Sequence, residues 1–260
     1  MATRLVAIGD STVEGLEDPR PDGSYRGWAD RFAEHLAGRD PGLRYANLAV
    51  RGQTVRQVRD TQLASALALQ PDVAVVVAGV NDLLRPRLDR RALREDLLHL
   101  HRALAGGGAR VLTFTMPDMA QVAPMAVALR GRLGFLNEVT RETAVACGST
   151  VVDLAAAAAA AHPALWHDDR LHANTEGHRR IALALTEAMG WDVEDWRSPL
   201  PVLPRRPGHH VVRAELAWAR GHLLPWAWRH LRGRSSADEH SCKQPELLPV
   251  REPPAGMEHT

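Results

Sequence analysis

Short runs of β-branched and aliphatic residues alternate over the first 190 positions with longer segments of helical spacing. This rhythm restricts the chain to few architectures. The runs at 4–9, 43–48, 73–79, 110–115 and 150–153 read as buried parallel strands. The segments at about 27–37, 54–69, 90–105, 126–147 and 175–189 repeat apolar residues at helical intervals. Strands and helices in strict alternation imply an α/β fold, a parallel sheet with helices on both faces. Ligands of such sheets bind beyond the carboxyl ends of the strands, so the residues that follow each strand are where chemistry is expected.

Composition narrows the class further. Of 260 residues, 45% are hydrophobic and 24% charged. That balance supports a sizeable core and excludes a mostly disordered, collagenous or coiled-coil chain. No run of 18 apolar residues occurs, so no transmembrane helix is expected. The 32 basic residues nearly match the 31 acidic ones, so net charge gives no support to a nucleic-acid partner. Almost all the basic residues are Arg; Lys243 is the single Lys. Cys147 and Cys242 do not make a disulfide framework, which favours a reducing compartment. Residues 1–4 lead straight into the first strand with no secretory pattern, so a cytoplasmic location is expected.

Composition shifts near Gly190. Segment 197–234 carries eight Arg against Glu215 alone, and five of the seven Trp lie between Trp191 and Trp228. Pro199, Pro201, Pro204 and Pro207 suggest a linker. Three regions are therefore expected: a domain over 1–190, a basic Trp- and Arg-rich helical extension over 191–234, and a disordered polar tail over 235–260. Residues 208–223 read as an amphipathic helix, with Val212, Leu216, Ala219 and Leu223 on one stripe. The bland reading is packing on the domain; the sharper ones are a homo-oligomer contact or attachment to an anionic membrane through 208–230. No nucleic-acid module accompanies the basic segment. The alanine run at 155–161 reads as a spacer.

The strand ends carry the candidate chemistry. Strand one ends in Gly9-Asp10-Ser11-Thr12. A serine hydroxyl is a weak nucleophile unless a base adjoins it, and Ser11 alone could equally be a helix cap. Strand two runs into Arg51-Gly52-Gln53-Thr54, where Gly52 is either turn chemistry or a point of close backbone approach. Strand three ends in Gly79-Val80-Asn81-Asp82, and the Asn81 amide could cap a helix or donate to an oxyanion. After strand five comes His167-Asp168-Asp169-Arg170-Leu171-His172. A carboxylate three residues before a His can fold back to its Nδ1 and fix the tautomer that accepts a serine proton. The same residues, His167, Asp168, Asp169 and His172, are also plausible metal ligands. His178 reads as a packing or capping residue.

Taken together, Gly9-Asp10-Ser11, Gly52, Gly79-x-Asn81-Asp82 and Asp169-x-x-His172 resemble the four sequence blocks of the SGNH (GDSL-type) serine esterases and lipases, in family order. The resemblance covers about 4–189. It implies a flavodoxin-like three-layer α/β/α sandwich with a five-stranded parallel sheet, followed here by the C-terminal helical extension. It also implies Ser11 as nucleophile, His172 as general base and then acid, and Asp169 as the orienting carboxylate. The oxyanion hole would combine the Ser11 and Gly52 N–H groups with the Asn81 side chain. Asp10 would brace the loop. Two positions depart from the family pattern: Thr12 where an apolar residue is usual, and Ala173 where Pro is frequent. No cofactor is signalled and no metal is expected once the serine constellation is present. The expected partner is a small-molecule carboxylic ester with a small or medium acyl group. Acyl transfer by the same triad, and a non-catalytic role exercised through the basic C-terminal segment, are the alternatives.

Overall fold

The computed structural model describes residues 2–201, Trp218, Arg220 and 241–250. Its elements are β1 (Arg4–Gly9), α1 (Ser11–Glu14), α2 (Gly27–Ala37), β2 (Arg44–Asn47), α3 (Val55–Ala68), β3 (Val73–Val77) and α4 (Val80–Leu83), then α5 (Arg90–Gly106), β4 (Arg110–Phe114), α6 (Arg130–Cys147), β5 (Thr150–Val152), α7 (Thr175–Ala188) and β6 (Gln244–Pro249). The strand order is β5-β4-β3-β1-β2-β6. The first five strands are parallel, in the positions the alternating rhythm implied.

Side-chain alternation along the strands builds the two cores. Leu5 and Ala7 of β1 face one side with Trp28 and Phe32 of α2 and Ala182 and Leu185 of α7. Val6 and Ile8 face the other, with Val58 of α3, Leu97 and Leu100 of α5 and Leu136 of α6. The sheet is therefore buried on both faces, as a near-continuous aliphatic strand requires. Thr54 caps α3 with a full capping box, accepting from Gln57 N while the Gln57 side chain accepts from Thr54 N. The helix expected over 126–147 is divided: Pro124–Leu129 is a 3-10 helix, and α6 proper begins at Arg130 with no side-chain cap. The alanine run forms short 3-10 turns.

One expectation is corrected at the C-terminus. The tail over 235–260 was expected to be disordered, yet it supplies a sixth strand. β6 pairs antiparallel with the outer edge of β2, Arg44 opposite Pro249 and Asn47 opposite Gln244, with an irregularity between. Pro245 and Pro249 lack an N–H and so suit an edge strand, whose outer side needs no donors. The composition that reads as disorder is thus also the composition of a protected sheet edge. Packing also continues past Gly190. Trp196 is buried in the α2–α7 core, its indole N–H donates to Glu187 Oε2 at 2.9 Å, and its carbonyl accepts from Arg180 Nη1 at 3.0 Å. The amphipathic helix expected over 208–223, and the contact surface over 208–230, lie outside the described residues except for Trp218 and Arg220. Among the described residues, no helix is long and apolar enough to cross a membrane.

Candidate active site

The strand order reverses at β1, which has β2 on one side and β3 on the other. A crevice forms beyond the carboxyl ends of the strands at such a switch point. Ser11 stands at its edge as the first residue of α1. The bend that brings it there depends on Gly9, whose φ is +155°. A Cβ at Gly9 would lie 2.1 Å from Val77 O and 2.5 Å from Val13 Cγ2, so no other residue fits without displacement. The buried Gln62 of α3 clips the same residue from both sides. Gly9 N donates to Gln62 Oε1 at 2.9 Å, and Gln62 Nε2 donates to Gly9 O at 2.8 Å. Asp10 then caps α1, its Oδ1 accepting from Thr12 N at 3.0 Å and from Thr12 Oγ1 at 2.9 Å. Thr12, where an apolar residue is usual, therefore gives the buried Asp10 carboxylate a hydroxyl donor.

The loop before α7 is closed by a bridge between Trp166 and Ala173 and by His167 N donating to His172 O at 2.9 Å. Asn174 caps α7, accepting from Gly177 N at 3.0 Å. Within this frame Arg170 adopts a left-handed φ of +59°. Asp169 turns back on its own loop: its Oδ1 accepts from Leu171 N and His172 N, each at 3.0 Å. Its Oδ2 lies 2.5 Å from His172 Nδ1, and His172 Nε2 lies 2.8 Å from Ser11 Oγ. Serine, histidine and aspartate thus form one continuous hydrogen-bonded line across residues that are 161 and three positions apart. Burial works against ionisation of Asp169, but its bonds from His172 and Leu171 prevail and hold the carboxyl down at about 2.

The Asn81 amide projects from α4 toward the same line. Its Nδ2 donates to Asp10 Oδ2 at 3.0 Å and to Gln53 O at 3.1 Å. Those acceptors are the neighbours of Ser11 and Gly52, so the three sequence blocks meet around one point. Gly52 has a left-handed φ of +78°. Among the described residues, neither the Ser11 nor the Gly52 N–H donates to another protein group. Beneath them burial pushes Asp10 upward, although Thr12 and Asn81 donate to it. Burial pushes Asp82 up to about 6, reinforced by the Asp10 charge and opposed by the Val55 N–H. A developing negative charge therefore has donors beside it and carboxyl groups whose own charge is restrained by burial.

The four ligands considered for a metal do not converge as a set. Among the described residues, the donor group that comes together is Glu17, Asp169 and His172. Two of these are already committed to the serine line. His167 instead faces Glu17, Nε2 to Oε2 at 3.3 Å. His178 is buried and neutral in function: its Nδ1 accepts from Trp28 N at 3.0 Å and its Nε2 donates to Leu16 O at 2.9 Å. Sequence reasoning missed Gln62, Gln53 and Glu17; Trp218 lies in the Trp-rich extension that the sequence marks as one whose tryptophans could reach the crevice. Gln62 had a detectable sign, a polar amide on the apolar face of α3 between Val58 and Leu63 and Ala66. The others have none in the sequence.

Residues 7–180 match the GDSL-like lipase/acylhydrolase family. An acetylxylan esterase of Geobacillus stearothermophilus is 24% identical over 209 residues, which is 73% of this chain and 94% of that protein. A crystal structure of that organism's acetylxylan esterase superposes with a TM-score of 0.61 at 20% identity, covering 75% of this chain and 95% of that one. LAE5, an alpha/beta hydrolase enzyme from the metagenome of Lake Arreo, Spain, superposes with a TM-score of 0.61 at 25% identity, covering 73% of this chain and 97% of that one. With three of its family blocks just beyond β1, β2 and β3, the fourth in the loop before α7, and the match spanning residues 7–180, the chain belongs to the GDSL-like lipase/acylhydrolase family and is a carboxylic ester hydrolase.

Proposed function

We propose that hydrolysis proceeds through an acyl-enzyme on Ser11. The observation that carries this reading is the Ser11–His172–Asp169 line, with spacings of 2.8 and 2.5 Å. His172 Nε2 takes the hydroxyl proton as Ser11 Oγ attacks the ester carbonyl carbon. Asp169 keeps the imidazole in the accepting tautomer and stabilises the cation that forms. The tetrahedral intermediate collapses when the C–O bond to the alcohol breaks and His172 returns its proton to the leaving oxygen. Water then attacks the acyl-enzyme with His172 again as base, releasing the acid and regenerating Ser11. The Ser11 and Gly52 N–H groups and the Asn81 amide stabilise the oxyanion. Asn81 releases one of its two present acceptors to do so, and Gln53 O is the neutral and therefore weaker-held partner.

We further propose a small acyl group on a carbohydrate alcohol. Support comes from the relative matched over nearly its whole length, an acetylxylan esterase. Treatment with a fluorophosphonate followed by mass spectrometry is expected to find the adduct on Ser11. Turnover of p-nitrophenyl esters is expected to fall from acetate to palmitate, and acetylated xylo-oligosaccharides are expected to be deacetylated. An adduct elsewhere, with Ser11→Ala still active, would sink the mechanism; a preference for palmitate would sink the acyl assignment alone.

A further inference from the structure

The residues beyond position 201 that the structure describes touch the active site at two separate points. The first is Trp218. Its indole N–H donates to the backbone carbonyl of Asp169 at 3.2 Å, and the Arg170 guanidinium lies 4.9 Å from its ring centroid. Asp169 and Arg170 are the two residues at which the loop reverses, Arg170 in the left-handed conformation. Trp218 therefore holds the peptide that aims the Asp169 carboxylate at His172.

The second point is Lys243, which immediately precedes β6. Its Nζ is directed inward and makes three bonds: to Glu14 O at 3.0 Å, to Arg26 O at 2.8 Å and to Asp30 Oδ1 at 2.9 Å. Glu14 is the last residue of the helical turn that begins with Ser11. Its carbonyl has no partner within so short a helix, and Lys243 supplies one. The other two acceptors bracket the start of α2, against which that turn packs. Asp30 is further held by the Tyr45 hydroxyl at 3.0 Å and by Arg20 at 3.1 Å, so the ammonium sits in a cluster that fixes it in place. Burial lowers the proton affinity of Lys243 while the Asp30 charge raises it, a balance that marks a cation buried for its contacts rather than for solubility.

We propose that Trp218 and Lys243 are positioning residues for catalysis: the C-terminal segment of this chain holds both halves of the triad, the acid–base loop through Trp218 and the nucleophile turn through Lys243. The two contacts are made by residues 25 positions apart in a region outside the family match, which ends at residue 180. Neither side chain touches the reacting atoms: Trp218 acts on the backbone carbonyl of Asp169, and Lys243 on that of Glu14, three residues after Ser11 in the same helical turn. The inference rests on the Ser11–His172–Asp169 mechanism proposed above.

The test uses the full chain with Trp218→Phe, which keeps a ring under Arg170 but removes the N–H, and Lys243→Met, which keeps the stem but removes the ammonium. A displacement of the triad by a fraction of an ångström is expected to lower kcat for p-nitrophenyl acetate by about fivefold or more in each variant, with KM within about twofold of the parent value. Fluorophosphonate reaction separates positioning from folding. The rate constant per titrated site is expected to fall in parallel with kcat. If instead only the titratable fraction falls and the surviving sites react at the parent rate, the residues are merely structural and the proposal is overturned. Unchanged kcat in both variants overturns it as well. Ser11→Ala, measured alongside, distinguishes the two levels: retained turnover there would defeat the triad mechanism itself, whereas its loss together with normal Trp218→Phe and Lys243→Met enzymes would defeat only the positioning role.

Discussion

Asp169→Asn is expected to lower kcat for p-nitrophenyl acetate by about 10⁴-fold, equivalent to about 5.5 kcal/mol of activation free energy. The size of the effect follows from how the carboxylate is held. Asp169 Oδ1 accepts from two backbone donors, Leu171 N and His172 N. An asparagine must keep its carbonyl oxygen toward those donors, because its NH2 group would oppose two N–H groups. The NH2 then faces His172 Nδ1 and donates to it. That forces the imidazole proton onto Nε2, the atom 2.8 Å from Ser11 Oγ, and leaves no base for the serine. The backbone donors thus lock the variant in the wrong tautomer. Melting temperature is expected to fall only modestly, since the bonds from the loop donors are retained while the charge that His172 stabilises is lost. A fall in kcat of less than about tenfold would show that Asp169 does not set the tautomer.

The second large effect concerns acid. His178 is held at about 4, chiefly by burial, while the Leu16 carbonyl and the Asp18 charge oppose that shift. Its folded value lies below the unfolded value of about 6.5. Between those limits the unfolded chain binds the extra proton, so this group's contribution to stability falls as pH drops from 6.5 toward 4. The slope is about 1.4 kcal/mol per pH unit and the total about 3 kcal/mol. Asp82, raised to about 6, works in the opposite direction over much of this range, and His101, also at about 4, works in the same one. Overall stability therefore blends several groups, and a difference measurement isolates one. Gln at position 178 can accept from Trp28 N and donate to Leu16 O without titrating. Urea denaturation of the parent and of His178→Gln at pH 7, 6, 5 and 4.5 should show the parent losing ground on the variant as pH falls. A constant difference across that range would remove His178 as the acid-sensitive group. Asp169 enters only lower: its depressed value of about 2 means its stabilising contribution is lost as pH falls from about 4 through 2.

Both effects originate in residues that could be found in the sequence, though not for the same reason. Ser11, Gly52 and Asn81 follow β1, β2 and β3, and those positions are legible chiefly because β1 and β3 are buried and almost wholly aliphatic, which fixes where the strands stop. The Asp169–His172 pairing is also local, three residues apart. What escaped is long-range and polar. Gln62 bonds a residue 53 positions away, and Lys243 bonds residues more than 200 positions away. No periodicity carries such pairings. β6 escaped for a different reason: an edge strand need not be aliphatic, tolerates proline, and so has the composition of a disordered tail. The engagement of both Asn81 hydrogens was likewise invisible, because the Gly-x-Asn-Asp block identifies the side chain but not the acceptors it meets in the absence of substrate.

The antiparallel pairing of β6 with β2 also sets an order of events during synthesis. Gln244 pairs with Asn47 and Pro249 with Arg44, so each partner on β2 is made some 200 residues before the strand that covers it. Closing a loop of that length is entropically slow to reward, and contacts of such sequence separation form late. On the ribosome, the five parallel strands and Ser11, Asp169 and His172 can all emerge while Lys243 is still unsynthesised. The nascent chain therefore passes through a stage in which its chemistry is present, its β2 edge is open to strand pairing with another nascent chain, and its last clamp is missing. Closure of the β2 edge therefore waits on the synthesis of residues 244–249, long after the catalytic residues have been made.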